Sequence, residues 1–212
     1  MKINFHHHQI NHPYYSYRIG IDREALPKNE FSAGIHPWDI AQIDLNAAYT
    51  KLHQALMQEN CIALGECGFD KNFGTDLVVQ KEVLLKQITL AQQSDIKVLI
   101  IHCVKAYQDI IEVKKSIHHP FTWVLHAFNG SKQLIKQLLK QDFYFSVGSA
   151  AFHPGTKISQ TIKEIPISRL FLETDDTEYT IEEVYKQISI LLNMDINHLE
   201  KQIEENRKSI FQ

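Results

Sequence analysis

The chain has only three cysteines in 212 residues, Cys61, Cys67 and Cys103, an odd number whose spacing fits no zinc ribbon. All three lie on or beside apolar stretches expected to be core strands, so a reduced, cytoplasmic setting is the reading. Long hydrophobic runs are missing too. The densest, Val98 to Ile101, falls far short of the roughly 20 residues that a membrane helix needs. Histidines begin after five residues, which leaves no room for the apolar core of a secretory signal. With 22 Lys and Arg against 25 Asp and Glu, the net charge of −3 excludes a broad basic face, so a nucleic-acid partner would have to be gripped locally. No internal repeat, low-complexity tract or Pro/Gly/Ser linker divides the sequence, and a single domain over residues 1–212 is expected.

What is present is an alternation of apolar runs. Leu45, Ala48, Leu52 and Leu56 form one helical stripe in a segment that turns helical from Asp39, and Leu84, Ile88 and Ala91 form another between Asp76 and Ser94. Further helices are expected over 105–117, 131–141 and 180–192, and a last one capped by Asp195 that buries Ile196, Leu199, Ile203 and Ile210. Strands are expected at 2–5, 61–64, 97–101, 121–125, 142–147 and 169–172, with a doubtful one near 14–21. This rhythm argues for parallel strands with helices outside: an α/β fold of the TIM-type (β/α) barrel kind, distorted or incomplete, its first β/α segment reduced within residues 9–33.

Six metal-grade side chains stand at the downstream ends of these runs: His6 and His8, Glu66, His102, His126 and Asp175. In a parallel barrel the strand ends share one mouth, and four imidazoles with two carboxylates suffice for two divalent ions. Strand alternation puts His6 and His8 on one side and turns His7 away. Glu66 lies between Gly65 and the Cys67-Gly68 pair, where the backbone can approach a neighbour closely, and its two oxygens could bridge two cations. His102 and His126 could each be a core histidine satisfied by a carbonyl, and Asp175 a helix cap. Read together, the six favour a metal centre, in which Asp175 could also take a proton from water. The histidine-rich donor set suits zinc or manganese first, with iron or magnesium as alternatives. Two ions sharing a carboxylate suit phosphate-ester hydrolysis.

With these positions in hand, the chain resembles the TatD-like metal-dependent hydrolases, within the amidohydrolase-type barrels. The family's His-x-His appears as His6 and His8, its Gly-x-His-Pro as Gly34-Ile35-His36-Pro37, and its Gly-Glu-x-Gly-x-Asp as Gly65 to Asp70. His102, His126-Ala127-Phe128-Asn129-Gly130, Glu173-Thr174-Asp175, Asn206 and Phe211 complete the match. The resemblance implies one ion held by His6, His8, Glu66 and Asp175 and a second held by Glu66, His102 and His126. It implies that Asp175 deprotonates the attacking water, and it places His36 near the scissile phosphate, although a structural role beside Pro37 has equal weight.

DNA or another phosphodiester is the implied substrate, with trimming from a 3′ end among the family's activities. A deacylase acting on small molecules or charged tRNA, and a barrel kept as a binding or assembly module with a protein partner, are the competing readings. Four departures from the family pattern stand out. Asn4 replaces an acid, Lys105 stands where an arginine clamp would bind phosphate, no proline follows Asp175, and only the residues from 9 to 33 separate His8 from Gly34.

Overall fold

A computed structural model describes residues 2–9, 12–22 and 25–211. The chain divides into two compact units, residues 9–123 and residues 1–8 with 124–212. Each is α/β, with the strand-then-helix order of a TIM-type fold. Seven strands are present among the described residues, against eight in a complete barrel of this type.

In the unit spanning 9–123, strands β1 (Tyr15–Arg18), β2 (Phe31–Gly34), β3 (Cys61–Asp70) and β4 (Val98–Val104) lie side by side in chain order, every pair parallel. The doubtful strand near 14–21 is thus real, with Tyr15 and Tyr17 buried in it. No helix lies between β1 and β2 among the described residues, in keeping with the reduced segment expected there. Helix α1 (Leu45–Leu56) starts later than the pattern from Asp39 suggested, because the Asp44 carboxylate accepts from the amides of Asn46 and Ala47 and so fixes the first turn. Its inward face is Ala48, Leu52, Ala55 and Leu56.

Helix α2 (Leu77–Gln93) is capped in the same way by Asp76 and buries Val83, Leu84, Ile88 and Ala91. Two glutamines, Gln80 and Gln87, are buried on α2 as well. They stand seven residues apart, two helical turns, and so share a face. Helix α3 (Tyr107–Ser116) follows β4.

β5 (Thr122–Leu125) lies where the units part in sequence. In the second unit come α4 (Lys132–Leu139), β6 (Phe143–Val147), α5 (Lys157–Thr161), β7 (Leu170–Leu172), α6 (Ile181–Leu192) and α7 (Ile196–Phe211). β6 and β7 pair in parallel. Sequence patterning left 148–168 without elements, and the structure fills it with α5 and three short 3-10 turns. Helix α6 opens on a reciprocal box: Thr180 accepts from the amide of Glu183, whose carboxylate accepts from the amide of Thr180. Asp195 accepts from the amides of Asn197 and His198, as a cap should.

Residues 2–5 differ from expectation. They form no regular strand, although the segment runs extended beside β7, with the Phe5 amide donating to the Leu172 carbonyl at 2.9 Å and a single parallel bridge between His7 and Asp175. Phe5 also stacks on Phe171 with ring centroids 4.3 Å apart, so packing rather than a ladder holds this stretch. No helix among the described residues is long and apolar enough to cross a membrane.

Candidate metal centre

In the unit carrying both termini, His6 and His8 flank the Asp175 carboxylate. Their Nε2 atoms stand 3.6 and 3.5 Å from Asp175 Oδ1. Donors bound at 2.0–2.2 Å to one tetrahedral ion are about 3.3–3.6 Å apart, so the spacing of this group fits a shared cation. His6 is fully buried, whereas His8 and Asp175 are reached by solvent. His7, expected to turn away, is buried and belongs to no donor group among the described residues. The His126 ring lies 4.6 Å from that of His6.

Asp175 adopts a left-handed backbone, φ +53°, a conformation that an aspartate tolerates. It is held there by its amide, which donates to the His6 carbonyl at 3.0 Å. Asn4 braces the same turn: its Nδ2 donates to Thr174 Oγ1 at 2.8 Å, and its Oδ1 accepts from the Thr174 amide at 2.9 Å. The departure from an acid at this position therefore carries its own support, because an amide can give and receive where a carboxylate can only receive. Glu173, a residue to which sequence reasoning gave no role, is completely buried. One of its oxygens accepts from the Ala127 amide at 2.5 Å and lies 3.6 Å from His126 Nδ1, so it sets the turn that presents that imidazole.

The other unit holds a second group. Glu66 Oε1 stands 2.6 Å from His102 Nδ1 and 3.1 Å from His36 Nε2, and the two imidazole nitrogens are 3.3 Å apart. All three side chains are buried. The expectation that Glu66 and His102 follow their strands is corrected here: both lie inside, in β3 and β4. The register of β3 shifts between Leu64 and Cys67, where Gly65 and Gly68 take positive φ of 151° and 144°. A Cβ on Gly65 would come within 2.6 Å of Ile100, and one on Gly68 within 2.1 Å of the His102 carbonyl. The glycines thus let β3 press against β4 at the point where Glu66 meets His102.

Asp70, quoted in the sequence motif without a role, grips the far side of His102 with Oδ2 3.1 Å from Nε2, and accepts from Trp38 Nε1 at 2.8 Å. A carboxylate on the outer nitrogen of an imidazole fixes which nitrogen faces the site. Burial works against the Asp70 charge, yet the hydrogen bonds from Trp38, His102 and the Asn72 amide outweigh it and hold the carboxyl below its usual range. For His36 burial dominates and lowers its pKa, against the opposing pull of Glu66. A neutral imidazole with a lone pair is the form that ligates a metal.

Both segments are anchored to α2. Gln87 accepts from the Ile35 amide at 2.7 Å and donates to the Ile35 carbonyl at 3.1 Å, beside His36. Gln80 does the same for the Asp70 backbone, at 2.8 and 3.0 Å. Lys105 stands exposed immediately after β4. The nearby cation that sequence reasoning missed, Arg18, is engaged by the buried Asp39 through two hydrogen bonds of 3.1 and 2.5 Å.

A family model described as TatD related DNase matches residues 23–212. Among the relatives, the uncharacterized metal-dependent hydrolase YabD of Bacillus subtilis (strain 168) is 30% identical over an alignment of 220 positions, gaps included, that covers 91% of this chain and 85% of YabD. The human 3′-5′ RNA nuclease TATDN2 is 30% identical over 161 residues, 73% of this chain but 21% of that protein. Among solved structures, YJJV, a TatD homologue from Escherichia coli K12, superposes with a TM-score of 0.80 at 22% identity, covering 93% of this chain and 85% of YJJV. The chain belongs to the TatD family of metal-dependent hydrolases.

Proposed function

We propose that the chain cleaves phosphodiester bonds in nucleic acid, DNA foremost and in the manner of a 3′ exonuclease, using two divalent ions with zinc or manganese the best match. The observation that carries this reading is the pair of compact donor groups: His6, His8 and Asp175 in one unit, and Glu66 with His102 and His36 in the other, each with donor atoms within 4.8 Å of one another. By the family resemblance, His126 would join His6, His8, Glu66, His102 and Asp175 as a ligand. The description of the family as DNases and the naming of one relative as an RNA nuclease support a polynucleotide substrate. The family match runs across both units, in support of one hydrolase domain.

When bound, a divalent pair acidifies water and stabilises charge on phosphoryl oxygens. The protein's own groups do the rest. Asp175, partly open to solvent, takes the proton of the attacking water and orients it. Asp70 and Glu173 keep His102 and His126 turned as ligands. His36, buried beside Glu66 and His102, would meet a phosphate that reaches that group, and Lys105 supplies a point charge to the backbone. The three cysteines are unbridged and buried, with the Cys61 and Cys103 thiols pushed up to about 12 by burial, so they stay protonated and inert, in support of a cytoplasmic setting.

The test pairs elemental analysis with digestion of 3′- and 5′-labelled single strands, esters and amides. Asp175→Asn should lower turnover at least about a thousandfold, the scale of losing a general base together with a charged ligand, with the circular dichroism spectrum unchanged. Near wild-type cleavage by that variant would remove Asp175 from its role. Turnover confined to esters or amides would replace the nuclease reading with a deacylase.

A further inference from the structure

Among the described residues, Trp38 and Phe73 are the exposed Trp and Phe side chains, 41% and 39% exposed, and they stack on each other with centroids 5.8 Å apart and planes 21° from parallel. Their place is not arbitrary. The Trp38 ring leans edge-on against His36 at 4.7 Å and against His102 at 5.7 Å. Asp70 ties the pair to the donor group: Oδ2 takes the Trp38 indole N–H as well as facing His102, while Oδ1 accepts from the Asn72 amide at 2.8 Å in the turn that carries Phe73. Space is open beyond that turn, since a Cβ on Gly74 would meet nothing within 4 Å.

Cations stand next to the pair. Lys71 follows Asp70 directly, with its ammonium on Asp109 at 2.7 Å, and its amide donates to the Val104 carbonyl, which brings the exposed Lys105 alongside.

We propose that Trp38 and Phe73 form a stacking shelf for an unstacked nucleobase of a single-stranded nucleic acid, next to the His36–Glu66–His102 group, with the phosphates on the side of Lys71 and Lys105. Any base has a π-face, so the shelf selects single strands without selecting sequence. A base paired inside a duplex has both faces covered by its neighbours and offers none to the shelf. This proposal rests on the nuclease reading above and deepens it by naming the side chains that would hold a base.

The test measures binding of a labelled phosphorothioate ten-thymidine strand and of the same strand with abasic residues, by fluorescence anisotropy on the metal-loaded protein. The base-bearing strand should bind about tenfold tighter, the scale of one aromatic stack. In Phe73→Ala that ratio should fall towards one, and in Phe73→Trp it should be kept or raised. Saturating the wild type should also quench tryptophan emission, because Trp38 is exposed whereas the other tryptophan, Trp123, is buried; the quench should be lost in Trp38→Phe.

Equal affinity for both strands in the wild type, or a tenfold ratio that survives Phe73→Ala, would overturn the shelf while strand cleavage leaves the nuclease reading intact. If no strand of either kind is bound or cleaved while esters or amides are turned over, the nuclease reading falls and takes the shelf with it.

Discussion

A single amide at position 4 shows how much one residue controls. Asn4 both donates to and accepts from Thr174, and Thr174 precedes the left-handed Asp175 whose carboxylate faces His6 and His8. Asn4→Ala leaves two polar groups of Thr174 without their partner, at a cost of about 1–3 kcal/mol. It also frees the Asp175 turn, which should weaken metal affinity ten- to a hundredfold, the range for loss of a ligand's support. Chemical denaturation and metal titration check the two effects separately, and a stability loss with unchanged metal affinity would show that Asn4 serves the fold alone. His6, His8, Glu66, His102, His126 and Asp175 stand out in the sequence because each is a metal-grade donor after an apolar run, although Glu66 and His102 lie within β3 and β4 rather than beyond them. Asp70 and Glu173 were not read as working residues, because an acid beside a motif looks the same whether it holds a ligand or faces water.

At the scale of elements, α2 bears on the site more than its sequence suggests. Gln80 and Gln87 interrupt an otherwise apolar face, and a helical wheel alone would count them as imperfections. In the structure each clamps both backbone polar groups of one residue: Asp70 for Gln80 and Ile35 for Gln87. Gln87→Leu should therefore destabilise the protein by about 2–4 kcal/mol, because two backbone groups lose their partners in a buried setting. It should loosen His36 as well. Thermal unfolding and hydrogen exchange at Ile35 and His36 measure this, and a variant as stable as the wild type would mean that water replaces the amide. The helix starts at Asp76, Thr180 and Asp195 were readable, since these residues cap by local hydrogen bonds that need no distant partner, whereas the start of α1 at Asp44 was set too early, at Asp39.

Across the whole molecule, the donor groups are built from residues far apart in sequence, Asp175 with His6 and Glu66 with His102. A cation that binds only the folded chain must then stabilise the fold by mass action. Raising zinc or manganese to about 100 times its dissociation constant should add roughly 2.7 kcal/mol and lift the melting temperature, with EDTA reversing the gain. His6→Ala and His102→Ala should each blunt the shift. A melting temperature indifferent to metal and chelator would show that the donor groups hold no ion in the folded state.

The alternation of strands and helices from Leu45 to Val147, the caps at Asp76, Thr180 and Asp195 and the donors that follow apolar runs are local properties of the chain, and the sequence by itself determined them, whereas β2 and the elements within 148–168 emerged only in the structure. The passage of β3 through Gly65 and Gly68 against β4, the grip of Asp70 on His102, the Asn4–Thr174 pairing and the stacking of Trp38 on Phe73 were decided only by tertiary structure. The physical reason is distance along the chain. A cap or a helical stripe is fixed within a few residues, whereas a contact such as Asn4 with Thr174 joins positions 170 apart, and only packing chooses which of many polar groups will meet.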